Sequence, residues 1–424
     1  QITSTVVTAL WRWLHLSTPR GVHITEDAAT HNEEAKVTAT DTLIEEIPLG
    51  DDRLKEFVEV PWRLYKGDPF WTPPLRADYL GSRLLGLPGL LTPHHPYHKH
   101  AEVTHFLARR GSDLLGRVSG AINHRFNEYH GTEIGFFGFF ETVDDFDVAR
   151  KLLDAALDWV QKRGMKVLRG PGEYSNATHE RQGVLIEGFD TPPAVELTHN
   201  PPYYGPLLER YGLHKAKDYY AHAMEDFSSE NVSRIARIAQ RVRQRHAITT
   251  RMADLKKLDE EIQMLVGIYN EAWARNWGFL PLTDDEAHAL AETLRPVLIP
   301  ELLRFAFVKG EPAAVLGALP DLYVPLRPRW RWPLDTDLVR ILRVLRQRRH
   351  IPRLRVMFMG VRPQFRKIGV DAVLFHELYD AALPMNFTFV DASMMLEDNA
   401  DITLITTTMG LHHYKTWRIY DLEL

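Results

Sequence analysis

The stretch from Leu354 to Leu383 constrains the fold more than any other part of the chain. Val356 to Val361 is apolar with β-branched ends, as a buried strand requires, and Pro363 stops it. Val370, Val373, Leu374 and Leu378 then recur at helical spacing. A strand, a tight turn and a helix in that order belong to α/β architecture, where the helix buries its apolar stripe on the sheet that holds the strand. The turn reads Arg366-Lys367-Ile368-Gly369-Val370. A glycine there lets backbone N–H groups converge, and the helix N-terminus adds a partial positive charge. Those are the parts of a phosphate cradle.

With 424 residues the chain predicts two ordinary domains or one very large one. Hydrophobic content of 45% and charged content of 25% are those of a globular chain with an ample core. A net charge of −5 gives no general attraction to nucleic acid, so no nucleic-acid partner is expected. The absence of cysteine removes disulfides, thiolate nucleophiles and cysteine metal sites, and fits a reducing cytoplasm. No apolar run reaches the roughly 18 to 20 residues that span a bilayer. The sequence begins at Gln1, which leaves room for a removed leading segment.

Val6, Ala9, Leu10 and Trp13 make an amphipathic stripe, suited to a membrane interface or to docking on protein. Residues 17 to 42 lack periodicity and read as a linker, so 1–43 is set apart as helix plus linker. Dense structure follows. Thr104 to Ala108 and Leu114 to Asn123 predict a hairpin, Ile134 to Phe140 a third strand, Val148 to Val160 a helix, Val167 another strand and Tyr219 to Met224 a closing one. The second half repeats that order. Ile248 to Met252 predicts a strand, Ile262 to Tyr269 a helix, and Leu303 to Val308 with Ala314 to Leu319 a hairpin. The opening strand-turn-helix comes next, then strands at Phe387 to Ser393 and Tyr414 to Leu422. The expected fold class is α/β with α+β character, two tandem units each built as a mixed twisted sheet flanked by helices. Their expected bounds are 44–226 and 227–424, joined by the basic segment Arg234 to His246, with a basic amphipathic insert at 320–353.

Arg366-x-x-Gly369 resembles the Arg/Gln-x-x-Gly-x-Gly/Ala signature by which the GNAT superfamily of N-acyltransferases holds the pyrophosphate of coenzyme A, with Asp371 in the place of the usual Gly or Ala. From about residue 44 onward the chain is similar to a bacterial family of tandem GNAT proteins. The motifs are Pro61-x-x-Leu64-Tyr65-Lys66, Trp71-x-Pro73-Pro74-Leu75, Gly116-Arg117, Glu187-Gly188-Phe189-Asp190, Asn200 to Tyr204, Asn276-Trp277-Gly278-Phe279, Leu396-Glu397-Asp398-Asn399 and Tyr414-Lys415-x-x-Arg418-Ile419-Tyr420. Members of that family include bacterial ceramide synthases, which join an acyl-CoA to a sphingoid amine.

The resemblance implies acyl-CoA as co-substrate, held by Met359 and Val361 on the strand and by Arg366, Lys367, Ile368, Gly369, Val370, Asp371 and Ala372 at the turn. It implies an acceptor pocket at Asn276, Trp277 and Phe279; no metal is expected. The matching loop of the first half, Glu141 to Asp147, holds four carboxylates and no cation, which would repel a pyrophosphate. That half is expected to lack a coenzyme A site. Glu397 is the first choice of base, against a role in capping the next helix, with Asn399 beside it. His376 is a weaker alternative. Many GNAT enzymes carry a general-acid tyrosine where this chain has Thr406, so Tyr414 or water is expected to protonate the thiolate. His94, His95, His98 and His100 have metal-like density, yet no carboxylates nearby to orient them.

Arginine interleaved with tryptophan from Leu326 to Pro333, followed by Leu338, Ile341, Leu342 and Leu345 with Arg340, Arg343 and Arg346 among them, suits an anionic membrane surface. A helix docked on the second unit with solvated arginines explains the same pattern. The expected acceptor is an amine, favoured as a lipid amine, met in the cytoplasm or at the inner face of its membrane. An acetyltransferase for a small molecule or protein, and a non-catalytic acyl-CoA sensor or scaffold, stand as alternatives.

Overall fold

The computed structural model describes residues 41–83, 86–174, 181–225, 227, 230–329 and 335–424. The N-terminal amphipathic stripe and most of the linker expected before residue 43 lie outside them, as does the Trp-Arg-Trp portion of the insert.

The strands are β1 (Leu43–Pro48), β2 (Ala101–Arg110), β3 (Asp113–Asn123), β4 (Ile134–Thr142), β5 (Val167–Gly172), β6 (Val184–Glu187), β7 (His214–Met224), β8 (Ile248–Met252), β9 (Leu303–Val308), β10 (Glu311–Pro320), β11 (Arg353–Val361), β12 (Phe389–Leu396) and β13 (His412–Glu423). All belong to one sheet, in the order β1-β2-β3-β4-β5-β13-β7-β12-β11-β10-β9-β8, with β6 alongside β13. The longer helices are α1 (Leu54–Leu64), α2 (Phe146–Gln161), α3 (Tyr204–Tyr211), α4 (Glu230–His246), α5 (Leu258–Trp273), α6 (Asp284–Leu294), α7 (Asp337–Gln347), α8 (Val370–Ala382) and α9 (Ala400–Thr408).

The two halves repeat one pattern. β2, β3 and β4 run antiparallel and β4 pairs β5 in parallel around α2, just as β9, β10 and β11 run antiparallel and β11 pairs β12 in parallel around α8. Each crossover helix sits where its sequence buries most. Val148, Ala149, Leu152, Leu153, Ala156, Trp159 and Val160 of α2 are buried, and so are Val370, Val373, Leu374, Phe375, Leu378 and Ala382 of α8. Each large apolar side chain withdrawn from water contributes roughly 1.5–3 kcal/mol, which local helix propensity cannot match.

The closing strands are exchanged. β7, the last strand of the first half, pairs β12 of the second, while β13 pairs β5 of the first. β7 and β13 then pair each other along most of their length. Pulling the halves apart would break ladder hydrogen bonds on both, so the chain boundary near 226 is no boundary in the sheet.

Among the described residues no helix is long and apolar enough to cross a membrane.

Candidate active site

β11 and β12 stay paired only from Arg353↔Phe389 to Val356↔Ala392. Past that point β12 is irregular where it pairs β7, between Ala392 and Met395, and Met394 takes a positive φ of 59°. Two parallel strands that separate leave backbone N–H and C=O groups facing the gap, available to a ligand.

Two apolar cavities meet at this fork. One, of about 320 Å³, is walled by α5, α6, β11, β12 and the first turns of α9. Ile262, Leu265, Leu290, Leu294, Met357 and Met394 set its character, with Asn276, Arg355, Ser393 and Asn399 as polar points. The other, of about 100 Å³, lies beneath α8 and α4, lined by Phe227, Val232, Tyr379 and Met409. Val356, Phe375, Ala392 and Thr406 line both.

The turn after β11 has the geometry its glycine suggests. Gly369 is the N-cap of α8 with φ 87°, and no side chain caps the helix. A Cβ there would also come within 2.8 Å of Val242, so only glycine fits. Lys367 takes a positive φ of 63° and is exposed, Ile368 is half-buried and Val370 is buried. Asp371 and Ala372 are half-buried in the first turn, where a carboxylate complements the helix dipole. The Arg366 guanidinium bonds the carbonyls of Ala272 at 2.6 Å and Val361 at 3.3 Å, and so fastens the turn to the end of α5.

Of the other expected site residues, Met359, Asn276 and Asn399 line the large cavity. Val361 is half-buried at the end of β11. Asn399 caps α9 by accepting from the Ile402 amide, the role that had been weighed for Glu397. Glu397 is not among the lining residues. Its carboxylate sits 2.5 Å from the Lys215 ammonium and accepts from the Asp218 amide, which ties the end of β12 to β7. Trp277 lies under the Arg169 guanidinium, 4.7 Å away, and beside Tyr219, away from the cavity. Phe279 is buried against Tyr129 and Tyr269. His376 borders the smaller cavity and pairs with Asp380 at 3.3 Å.

Tyr414 is tied elsewhere as well. Its hydroxyl donates to Asp391 at 2.6 Å, and burial together with that carboxylate holds the phenol well above its ordinary pKa. Asp391 also takes the Ser393 hydroxyl, with the Arg355 guanidinium 3.7 Å away, and burial raises its own pKa. Arg355 and Ser393 reach from this network to the cavity wall. The one trace of the network in the sequence is an arginine alternating with apolar residues in a strand otherwise fit for a core.

Thr406 does not stand alone. Its hydroxyl lies 2.7 Å from Nδ1 of His222 on β7, and burial, with His413 and His412 nearby, holds that imidazole below its ordinary pKa. The strand exchange creates this pair, so no local pattern signals it.

Three of the four clustered histidines are engaged in hydrogen bonds. His95 accepts from the Tyr97 amide, His98 bonds the Leu90 carbonyl, and His100 bonds Glu286 on α6.

No protein-family model matches the chain. Among solved structures, a tandem GNAT protein from the clavulanic acid biosynthesis pathway covers 90% of this chain and 98% of its own, with a TM-score of 0.51 and 11% identity. A curated protein of Caulobacter vibrioides named bacterial ceramide synthase is 33% identical over 380 residues, 88% of this chain and 95% of that protein. The chain belongs to the family of this bacterial ceramide synthase, on a fold it shares with the tandem GNAT protein. Protein YghO of Escherichia coli is 28% identical over 394 residues, 89% of this chain and 94% of its own. The glucosamine N-acetyltransferase region of a fungal β-N-acetylglucosaminidase shares the fold at a TM-score of 0.54, covering 93% of this chain and 40% of that one.

In the first half β4 stays paired to β5 as far as Gly138↔Gly172, and polar groups gather at that end. The cavity there is about 100 Å³. Glu141 accepts from the Tyr65 and Tyr204 hydroxyls at 2.7 and 2.8 Å, and Glu173 from Tyr79 and Arg181 at 2.6 and 2.8 Å. Asp145 caps α2 with its own side chain, and Asp147 pairs with Arg150. Each acid of the loop named here has a structural partner.

Proposed function

We propose that this GNAT protein is an acyl-CoA-dependent N-acyltransferase that joins a long acyl chain to a lipid amine such as a sphingoid base. The observation that carries the reading is the apolar cavity of about 320 Å³ at the fork of β11 and β12. It falls in the range of pockets that bury drug-sized ligands, roughly 300–1,000 Å³, far more than an acetyl group needs. The name of the Caulobacter relative, bacterial ceramide synthase, agrees with a lipid amine.

Coenzyme A supplies the acyl group as a thioester, with a thiolate as leaving group. The uncapped N-terminus of α8 and the backbone of residues 367–372 suit its phosphates, with Lys367 exposed beside them. The separated strands suit its pantetheine arm and offer N–H groups to the thioester carbonyl, whose oxygen gains charge as the amine attacks. The C–N bond forms, the C–S bond breaks, the amine loses one proton and the thiolate takes one. Thr406, at the meeting of the cavities and bonded to the neutral His222 imidazole, is the hydroxyl placed to pass that proton. Arg355 and Ser393, bonded to each other, line the same cavity.

The first half carries no coenzyme A on this reading, because β4 and β5 stay paired to the end of β5 and the helix N-terminus is capped by Asp145. The enzyme meets its acceptor at the cytoplasmic face of a membrane.

Incubation with hexadecanoyl-CoA and sphinganine, followed by mass detection of the amide, tests the proposal. The expected product is the N-acylated long-chain base with release of free coenzyme A. Transfer of acetyl alone to small amines, or no amide from any donor, overturns it.

A further inference from the structure

α7 is built inside out. Its arginines Arg340 and Arg343 turn inward, with Arg340 fully buried. Arg340 donates to the carbonyls of Leu326 and Pro73 at 2.8 and 2.7 Å, and Arg343 lies 2.9 Å from Asp335. Its leucines turn outward. Leu338, Leu342 and Leu345 are 38%, 45% and 43% exposed, and their spacing of four and three puts them on one stripe. The sequence pattern alone suggests solvated arginines, and the structure reverses it because buried carbonyls and acids need those guanidinium groups.

The exposed charge that α7 itself carries beside the stripe is cationic. Arg346 and Arg349 are exposed at its C-terminal end, Arg349 lying 3.7 Å from Glu301 in a pair open to solvent on both sides. The acids of the segment, Asp335 and Asp337, are drawn inward to Arg343, Arg76 and Arg340. A leucine stripe bordered by cations with its acids withdrawn complements an anionic lipid surface, into which leucines insert while arginines meet phosphate head groups.

The stripe also lies on the right element. Val344, on the inner side of α7, packs in a cluster with Val297 and Met357. Met357 and Leu298 line the large cavity, so α7 backs its wall. Leu290, another lining residue, is 39% exposed and marks where that cavity reaches solvent.

We propose that the Leu338–Leu342–Leu345 face of α7, with Arg346 and Arg349, docks the enzyme on an anionic bilayer beside the mouth of its apolar cavity. This rests on the acyltransferase reading and adds the surface from which the lipid amine is drawn.

Flotation of the full chain with vesicles of phosphatidylcholine alone, and of phosphatidylcholine with phosphatidylglycerol, tests it. The protein floats with the anionic vesicles and much less with the neutral ones. The exposed triple change L338E/L342E/L345E lowers that binding about tenfold or more, and R346E/R349E removes the preference for the anionic lipid. Both variants bind octanoyl-CoA as the unaltered protein does. Flotation of the triple variant equal to the unaltered protein overturns the inference, as does indifference of the unaltered protein to anionic lipid. A dimer in analytical ultracentrifugation that the triple change makes monomeric assigns the face to a second copy and overturns it too. Octanoyl-CoA binding, read on the same samples, reports separately on the acyltransferase reading.

Discussion

Val356 and Ala392 are the last residues that pair across β11 and β12, and both line the two cavities that meet beyond them. The point where the ladder stops is therefore the point where a chain can pass from one side of the sheet to the other. A thioester at this fork would have apolar space on both sides, with Phe375 and Thr406 completing the partition.

Phe375 follows as the residue that limits acyl length. Phe375→Ala joins the cavities and shifts the acyl-CoA binding profile toward longer chains, at a stability cost of about 3–5 kcal/mol. Phe375→Leu gives a smaller shift at a smaller cost. Leu383→Trp, on the exposed far wall of the smaller cavity, reverses the gain. Affinities measured over a graded series of acyl-CoA donors check this, and an unchanged profile in a folded Phe375→Ala protein removes Phe375 from the account.

Thr406→Val removes the hydroxyl while keeping its shape. Turnover is expected to fall about 100-fold or more with acyl-CoA affinity retained, and Thr406→Ser is expected to restore most of it. His222→Gln keeps a hydrogen-bonding group beside Thr406 but no titrating one. It should flatten the acid limb of the kcat profile, where protonation of His222, held below its ordinary pKa by burial and by His413 and His412, silences the pair.

Glu397→Gln should leave turnover close to that of the unaltered protein. Its ion pair with Lys215 is partly exposed, 22% and 40% for the two side chains, and such pairs contribute below about 1 kcal/mol. Parallel kinetics and thermal unfolding separate the two roles, and a collapse of kcat with intact folding would restore Glu397 as the base.

Glu286 binds the halves together from α6, accepting from Thr283 and bonding His100. Burial raises its pKa, but the hydrogen bonds from His100 and Thr283 more than offset this and bring it down to about 2. A carboxylate depressed in the folded state stabilises above its unfolded pKa and loses that contribution as pH falls through the folded one. Glu286→Gln is thus expected to cost up to about 3 kcal/mol at pH 7, with the gap from the unaltered protein closing between about pH 4.5 and 2. Denaturant unfolding at several pH values reads it.

The local grammar of the fold was plain in the sequence. The strand before Pro363, the glycine at 369 and the apolar repeat from Val370 appear as β11, an αL N-cap and α8, because each is set by neighbours within a few residues. The hairpins over Ala101–Asn123 and Leu303–Pro320 were legible for the same reason. The exchange of β7 and β13 was not, since a strand's own pattern specifies which face is buried and not which edge it joins. That exchange is what brings His222 to Thr406. Trp277 and Phe279 show the same limit from the other side. An aromatic pair in a loop reads equally as pocket or core, and only the fold packs Trp277 against Arg169 and Tyr219 and Phe279 against Tyr129 and the cavity-lining Tyr269. Arg340 was misleading because its partners, the Leu326 and Pro73 carbonyls, come from loops whose approach α7 does not encode.

On the proposed function each chain holds one coenzyme A, at the β11–β12 fork, with room for a long acyl group. Native mass spectrometry of the full protein with acetyl-CoA, octanoyl-CoA and hexadecanoyl-CoA measures count and chain length together. A single equivalent is expected to bind, tightest for the longest donor, and binding is expected to be abolished by Gly369→Val, which places side-chain atoms against Val242 and on a backbone at φ 87°. Two equivalents per chain, or tightest binding of acetyl-CoA, would contradict it.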